Sequence, residues 1–175
     1  GLTNDDPITT GDGHDTIAGG YDADTINAGA GDDVILGDNG QATFNNLAIL
    51  TFITSTDNHT GGNDVITTNT GNDIAFGGYG VDYINVQNDT AHTLLSDDGN
   101  DILVGDNATA IFITDGVDTI ETNAGQGSED YIHSTNGQDV ILGGKAGDFL
   151  STGTDTSRDI ILGDLGKLTF TTNNN

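Results

Sequence analysis

The sequence predicts an all-β fold, a right-handed parallel β-roll or β-helix solenoid with two nonapeptides in each turn. Three observations predict it. Asp6, Asp15, Asp24 and Asp33 lie nine residues apart, and two residues after each comes Ile8, Ile17, Ile26 or Ile35. The beat continues along nearly the whole chain, and self-similarity at a fixed short period marks a solenoid whose units bury their apolar faces only against neighbours. Composition agrees, with 27 Gly, a single Pro and no Cys in 175 residues.

Set out in nines, the chain opens GLTNDDPIT, TGDGHDTIA, GGYDADTIN, AGAGDDVIL, GDNGQATFN. Glycine near positions one, two and four permits the positive φ of a tight turn and a close approach of backbone carbonyls. Residues seven to nine suit a short strand in which only position eight points inward, because side chains alternate across a strand. Aspartate at position six supplies a hard carboxylate oxygen, the ligand type that calcium prefers. With two nonapeptides per turn, Asp6 and Asp24 are expected on one edge and Asp15 and Asp33 on the other.

The phase resumes at Asp64, Asp73 and Asp82. One extra residue near Val86 moves it to His92 and Asp101, and a deletion leads to Asp118, followed by Asp130, Asp139, Asp148 and Asp159. The expected metal ligands are therefore Asp6, Asp15, Asp24, Asp33, Asp64, Asp73, Asp82, Asp101, Asp118, Asp130, Asp139, Asp148 and Asp159, for several calcium ions. Position eight carries the expected core through Ile66, Ala75, Ile84, Leu94, Leu103, Phe112, Ile120, Ile132, Ile141, Leu150, Ile161 and Phe170.

A longer phrase overlies the beat: DVILGDNGQATF from Asp33, DILVGDNATAIF from Asp101 and DIILGDLGKLTF from Asp159. In each closing nonapeptide the position-six Asp gives way to Ala42, Ala110 or Leu168, the position-eight residue becomes Phe44, Phe112 or Phe170, and an Asp stands at position two. These last, Asp38, Asp106 and Asp164, are further candidate ligands. The phrase reads as a module boundary, a wide coil filled by an aromatic where the calcium ladder pauses. It divides one continuous solenoid over 1–175 into modules 1–45, 59–113 and 114–171, with 46–58 as an inserted hairpin or flap rich in β-formers.

Twenty-eight acidic residues against three basic ones, Lys145, Arg158 and Lys167, give a formal charge of −25. Without counter-ions such carboxylates repel, so the chain is expected to be poorly ordered without divalent metal, with binding supplying much of the folding free energy. The acidity argues against nucleic-acid or anionic-membrane partners, which require clustered Lys and Arg. No apolar run reaches membrane-spanning length. No G-x-S-x-G, H-E-x-x-H or phosphate-binding loop is present, and His14, His59, His92 and His133 are scattered, so no catalytic activity is expected. Two outward apolar stripes, Val140, Leu142, Ile160 and Leu162 on one face and Ile74, Phe76, Leu95, Ile111 and Ile113 on another, require a cover, either loops or a lateral contact with another rod or module.

GGYDADTIN and AGAGDDVIL in particular resemble the RTX (repeats-in-toxin) calcium-binding β-roll family, and the likeness extends over all but residues 46–58. The resemblance implies export by type I secretion and folding on contact with extracellular calcium. It leaves three functions open: a structural module of a larger secreted or cell-surface repeat protein of adhesin, surface-layer or matrix type; a folding and secretion domain of a toxin, protease, lipase or polysaccharide-modifying enzyme; and an ice-binding solenoid. The first is favoured, since residues 1–9 already lie in phase and Phe170 is followed by TTNNN where a further module would begin.

Overall fold

The computed structural model describes residues 5–114 and 116–170, which form seventeen β-strands. The start of the first nonapeptide, residues 1–4, and the TTNNN segment lie outside the described residues. Twelve strands build a solenoid. One parallel sheet runs β1 (Pro7–Thr9), β3 (Thr25–Asn27), β7 (Val65–Thr67), β9 (Tyr83–Ile84), β13 (Tyr131–His133), β15 (Phe149–Ser151). The other runs β2 (Thr16–Ala18), β4 (Val34–Leu36), β8 (Ile74–Gly78), β10 (Ile102–Asp106), β14 (Val140–Gly144), β16 (Ile160–Asp164).

Their register follows the nine-residue beat. Ile8 lies over Ile26 and Ile17 over Ile35, so one turn takes two nonapeptides. The inward position-eight side chains Ile17, Ile26, Ile35, Ile66, Ala75, Ile84, Leu103, Ile132 and Ile141 stack into one core, with Ile8 and Leu150 at its ends. Each such isoleucine contributes roughly 1.5–3 kcal/mol by burial, which is why a line of single residues suffices when neighbouring turns cover it.

The remaining five strands are not solenoid. β5 (Gly40–Phe44), β6 (Leu50–Ser55), β11 (Ala108–Ile113), β12 (Gly116–Thr122) and β17 (Lys167–Thr169) form an antiparallel sheet of order β17-β12-β11-β6-β5. This corrects the expectation of one continuous β-roll. Each copy of the repeated phrase is an exit: the chain leaves the second parallel sheet after β4, β10 and β16 and enters the antiparallel sheet as β5, β11 and β17. After β5 a turn closed by the Asn45 side chain returns it as β6, so the hairpin placed at 46–58 begins within the unit counted as a coil.

The substitutions within the phrase now have a physical reason. Ala42, Ile53, Ala110, Ile120 and Leu168 lie in one cross-strand row of the antiparallel sheet. That row faces a second apolar core, whose other wall is the outward face of the second parallel sheet: Val34, Leu36, Phe76, Val104, Val140 and Leu142. A carboxylate at 42, 110 or 168 would be buried without a partner there, at a cost of several kcal/mol. Phe112 and Phe170 pack on the edge of this sandwich and Phe44 is half exposed, so none fills a solenoid coil.

The apolar stripes are likewise explained. Ile74, Phe76, Val140, Leu142, Ile160 and Leu162 all belong to one face and are packed in the sandwich, so the two stripes placed on different faces are one. Strands under this cover are buried throughout (β4, β14), whereas β2 and β3 bury only their middle residue. Ile111 and Ile113 remain exposed on the antiparallel sheet, and Leu94 is exposed in a loop rather than in the core. His92 belongs to that same loop, 86–95, where its ring stacks on Tyr131 at 4.1 Å beside Tyr83; it occupies no ladder position.

Candidate metal centre

The position-six aspartates assemble into two ladders, one on each edge of the solenoid. On the first, Asp24 accepts the Asp6 N–H, Asp64 that of Asp24, Asp82 that of Asp64, Asp130 that of Asp82 and Asp148 that of Asp130, at 2.8–3.1 Å. On the second, Asp33 accepts from Asp15, Asp73 from Asp33, Asp101 from Asp73, Asp139 from Asp101 and Asp159 from Asp139, at 2.7–3.2 Å. Each bond uses Oδ1 and fixes the carboxylate one turn above its donor. Twelve of the thirteen expected ligands are thereby brought together. Asp118 is not: it lies in β12 of the antiparallel sheet, where it accepts from the Thr119 hydroxyl.

The second oxygen of these groups decides what the ladders can do. Oδ2 of Asp24, Asp64, Asp82, Asp130 and Asp148 on the first edge, and of Asp33, Asp73 and Asp101 on the second, is buried with no hydrogen-bond partner. Leaving so many acceptors unsatisfied costs about 1–3 kcal/mol apiece. On the first edge glycine carbonyls converge on the same space. A Cβ at Gly37 would stand 2.3 Å from Asp64 Oδ2 and 2.5 Å from the Gly77 carbonyl; at Gly77 it would stand 2.3 Å from the Gly105 carbonyl and 2.5 Å from Asp82 Oδ2. Position one is glycine here because any side chain would fill that space. Buried, all-oxygen and acidic, the set suits calcium, which takes six to eight hard oxygen ligands and tolerates irregular geometry.

Without a cation these carboxylates resist ionisation. Burial raises Asp64 to about 8 and Asp73 to about 7, and the charges of neighbouring rungs add to it. Asp82, fully enclosed between Asp130 and Asp64, is pushed well above the ordinary range by burial first and by those two charges next. Asp24, Asp33, Asp139 and Asp148 move the same way, chiefly through desolvation. A bound dication would offset both the burial and the mutual repulsion, and so favour the ionised carboxylates.

The position-two aspartates of the phrase act differently. Asp38 accepts the N–H groups of Gly62 (3.1 Å) and Tyr79 (2.5 Å), and Asp106 accepts that of Lys145 (2.5 Å) through Oδ2, its Oδ1 being buried with no hydrogen-bond partner. Each is buried; Asp38 clasps the backbone where the chain re-enters the solenoid and where it makes the following turn, and Asp106 does so at the following turn. Asp164, the third copy, is exposed.

Two features escaped the sequence reading. His14, Asp32, Asn72, Asn100 and Gln138, at position five of the second edge, form an outer ladder in which Asp32, Asn72 and Asn100 each accept the next turn's backbone N–H through Oδ1, while His14 Nδ1 accepts that of Asp32. Asp97 is the other. Buried at position two of the unit SDDGNDILV, it lies with Asp73 and Asp101 in a group whose ligand oxygens are all within 4.8 Å of one another. The signal was present, a carboxylate where Gly11 and Gly29 stand in the first units, but the 86–95 insertion obscured its phase.

A parallel β-roll edged by buried carboxylate and carbonyl ladders defines a calcium-binding repeat protein. The comparison with known families agrees: the RTX calcium-binding nonapeptide repeat matches residues 9–43, 60–90, 112–150 and 125–158, more than half of the chain, and the chain belongs to that family. No curated protein and no solved structure matches it significantly.

Proposed function

We propose that the chain is a calcium-dependent structural module, without catalytic activity of its own, of a larger secreted or cell-surface repeat protein of adhesin, surface-layer or matrix type. It folds on meeting extracellular calcium. The observation that carries this reading is the row of buried, partnerless Oδ2 atoms on both edges, a fold that gains a large stabilisation when cations fill it and little otherwise. The twelve ladder aspartates supply the ligands together with adjoining carbonyls, eight of them through a partnerless Oδ2. Lateral contact between copies forms part of the proposal, and the apolar residues left bare at the tip of the antiparallel sheet, Leu47, Ile49, Ile111 and Ile113, support it.

Circular dichroism during a calcium titration, with reversal by chelator, tests the reading. Calcium is expected to produce the β signal and chelator to abolish it; magnesium substitutes poorly because it demands tighter octahedral geometry and sheds water reluctantly. A β signal indifferent to calcium would sink the proposal. Sedimentation in calcium at rising protein concentration tests the lateral contact, and a strict monomer excludes it.

A further inference from the structure

We propose that Asp97 makes the rung between Asp73 and Asp101 a three-carboxylate site for a divalent cation of calcium type, the tightest on the chain. The inference rests on the calcium reading of the ladders and goes beyond it, because a ladder built from position-six residues alone places one carboxylate per rung.

Three buried carboxylates converge here, Asp73, Asp97 and Asp101, with ligand oxygens within 4.8 Å of one another. No other such group of three occurs among the described residues. A second observation points to a ligand: Asp73 Oδ2 is fully enclosed and takes no hydrogen bond from the protein, and the enclosed Asp101 Oδ2 faces only the neighbouring Asp97 carboxylate. Asp97 is also held in place. The Thr68 hydroxyl donates to its Oδ1 at 3.3 Å and the Asn85 amide to its Oδ2 at 3.1 Å, while Asn85 also donates to Thr68 at 2.8 Å. The backbone N–H of Asp97 is fixed by Thr135 Oγ1 at 3.1 Å. Thr68 and Asn85 are themselves buried, so the arm that presents Asp97 is rigid.

Position two on the other rungs of this edge is Gly11, Gly29, Asn69, Thr135 or Asp155; only Asp155 is charged, and it is half-buried with its two oxygens taken by the N–H groups of Gly137 and Ser157. Calcium sites are graded by the number of charged ligands and by rigidity, and this rung gains on both counts. Neither partner that holds Asp97, Thr68 or Asn85, carries a charge that would offset it.

Calorimetric titration of calcium into the metal-stripped full chain tests the site, comparing Asp97→Asn with Asp98→Asn. Asp98 is exposed and next in sequence, so the second variant removes the same charge outside the cluster. The expected result is a tightest step weakened by roughly tenfold or more in Asp97→Asn and shifted by less than about twofold in Asp98→Asn. Asp97→Gly, which restores the residue found at Gly11 and Gly29, serves if the asparagine variant does not fold, with the same loss expected. Europium luminescence of the unaltered chain gives a separate readout, expected to show one class of ion with more carboxylate ligands and fewer bound waters than the rest. Equal affinities in both variants, or a single uniform europium class, overturn the inference while leaving calcium-driven folding intact. Absence of any calcium uptake by the unaltered chain would overturn both.

Discussion

Replacing Asp73 by Asn separates the two roles that a ladder carboxylate plays, because its effect should change sign with calcium. Without cation, burial and the charge of Asp33 raise the Asp73 carboxyl from 3.8 to about 7. At pH 7 the unfolded chain ionises this group fully, while folding forces it back toward its neutral form; about three pH units at about 1.4 kcal/mol each put the penalty on the order of 4 kcal/mol. Asparagine abolishes that penalty and keeps the Oδ1 acceptor for the Asp33 N–H, at 2.7 Å in the native chain. Its amide takes the place of the partnerless Oδ2, and an unsatisfied donor there returns about 1 kcal/mol. In chelator at pH 7 the variant is therefore more stable by about 3 kcal/mol, an advantage that vanishes below pH 4, where both states of the native residue are protonated. In calcium it is less stable, and half-folding requires roughly tenfold more calcium. The assay is β structure by circular dichroism, against pH in chelator and against calcium at pH 7. A variant destabilised to the same degree in both media would refute the reasoning and leave Asp73 as a backbone acceptor only.

Other consequences follow from the same geometry. In chelator, β structure is favoured by acidification: carboxyls whose folded values are raised, Asp106 to about 6, Asp38 to about 7 and Asp64 to about 8, contribute stability present below pH 4 and lost as the pH climbs through those values, and a pH titration that gains β structure on going from pH 4 to 9 would contradict this. In calcium the order reverses, because protons compete for the ligands. Gly77→Ala sets a methyl against the Gly105 carbonyl and Asp82 Oδ2, and should cost at least 1–3 kcal/mol by overpacking, about what strained cores lose, plus calcium affinity. Gly147→Ala, with nothing within 4 Å, should stay within about 0.5 kcal/mol when both glycine variants are unfolded thermally in calcium. Ile53→Ala, at the centre of the sandwich, is expected to cost about 2–5 kcal/mol in a urea denaturation with calcium, and a loss under 1 kcal/mol would show the antiparallel sheet to be loosely attached.

The ladders were legible because two independent demands share one period. A carboxylate at position six and an aliphatic residue at position eight recur from Asp6–Ile8 to Asp148–Leu150 whether or not the intervening glycines survive, and the register of each turn follows. The antiparallel sheet was hidden by that same regularity. GQATF fits a nine-residue frame by count, yet Ala42 and Phe44 alternate with Gln41 and Thr43 in the two-residue period of an ordinary half-buried strand. Read with period two, the segment is a sandwich strand. Asp118 fell in frame by spacing alone, since nothing local distinguishes it from a rung. Asp97 and His92 were obscured by the 86–95 insertion, whose closure through the Val86–Leu94 bridge depends on chain folding back on itself rather than on any repeat.

The antiparallel sheet also bears on how the molecule carries load. In a bare solenoid each turn touches only its neighbours, so an end can peel away one turn at a time. Here β6 is bonded to β11 and β12 to β17, joining excursions that depart from alternate strands of the underlying sheet, β4, β10 and β16. Tension on the rod must break these lateral pairs as well as the turns beneath them. Such a tie, running the length of the stack, makes the rod give way as a unit at a single higher force, where a plain stack would unravel in small steps.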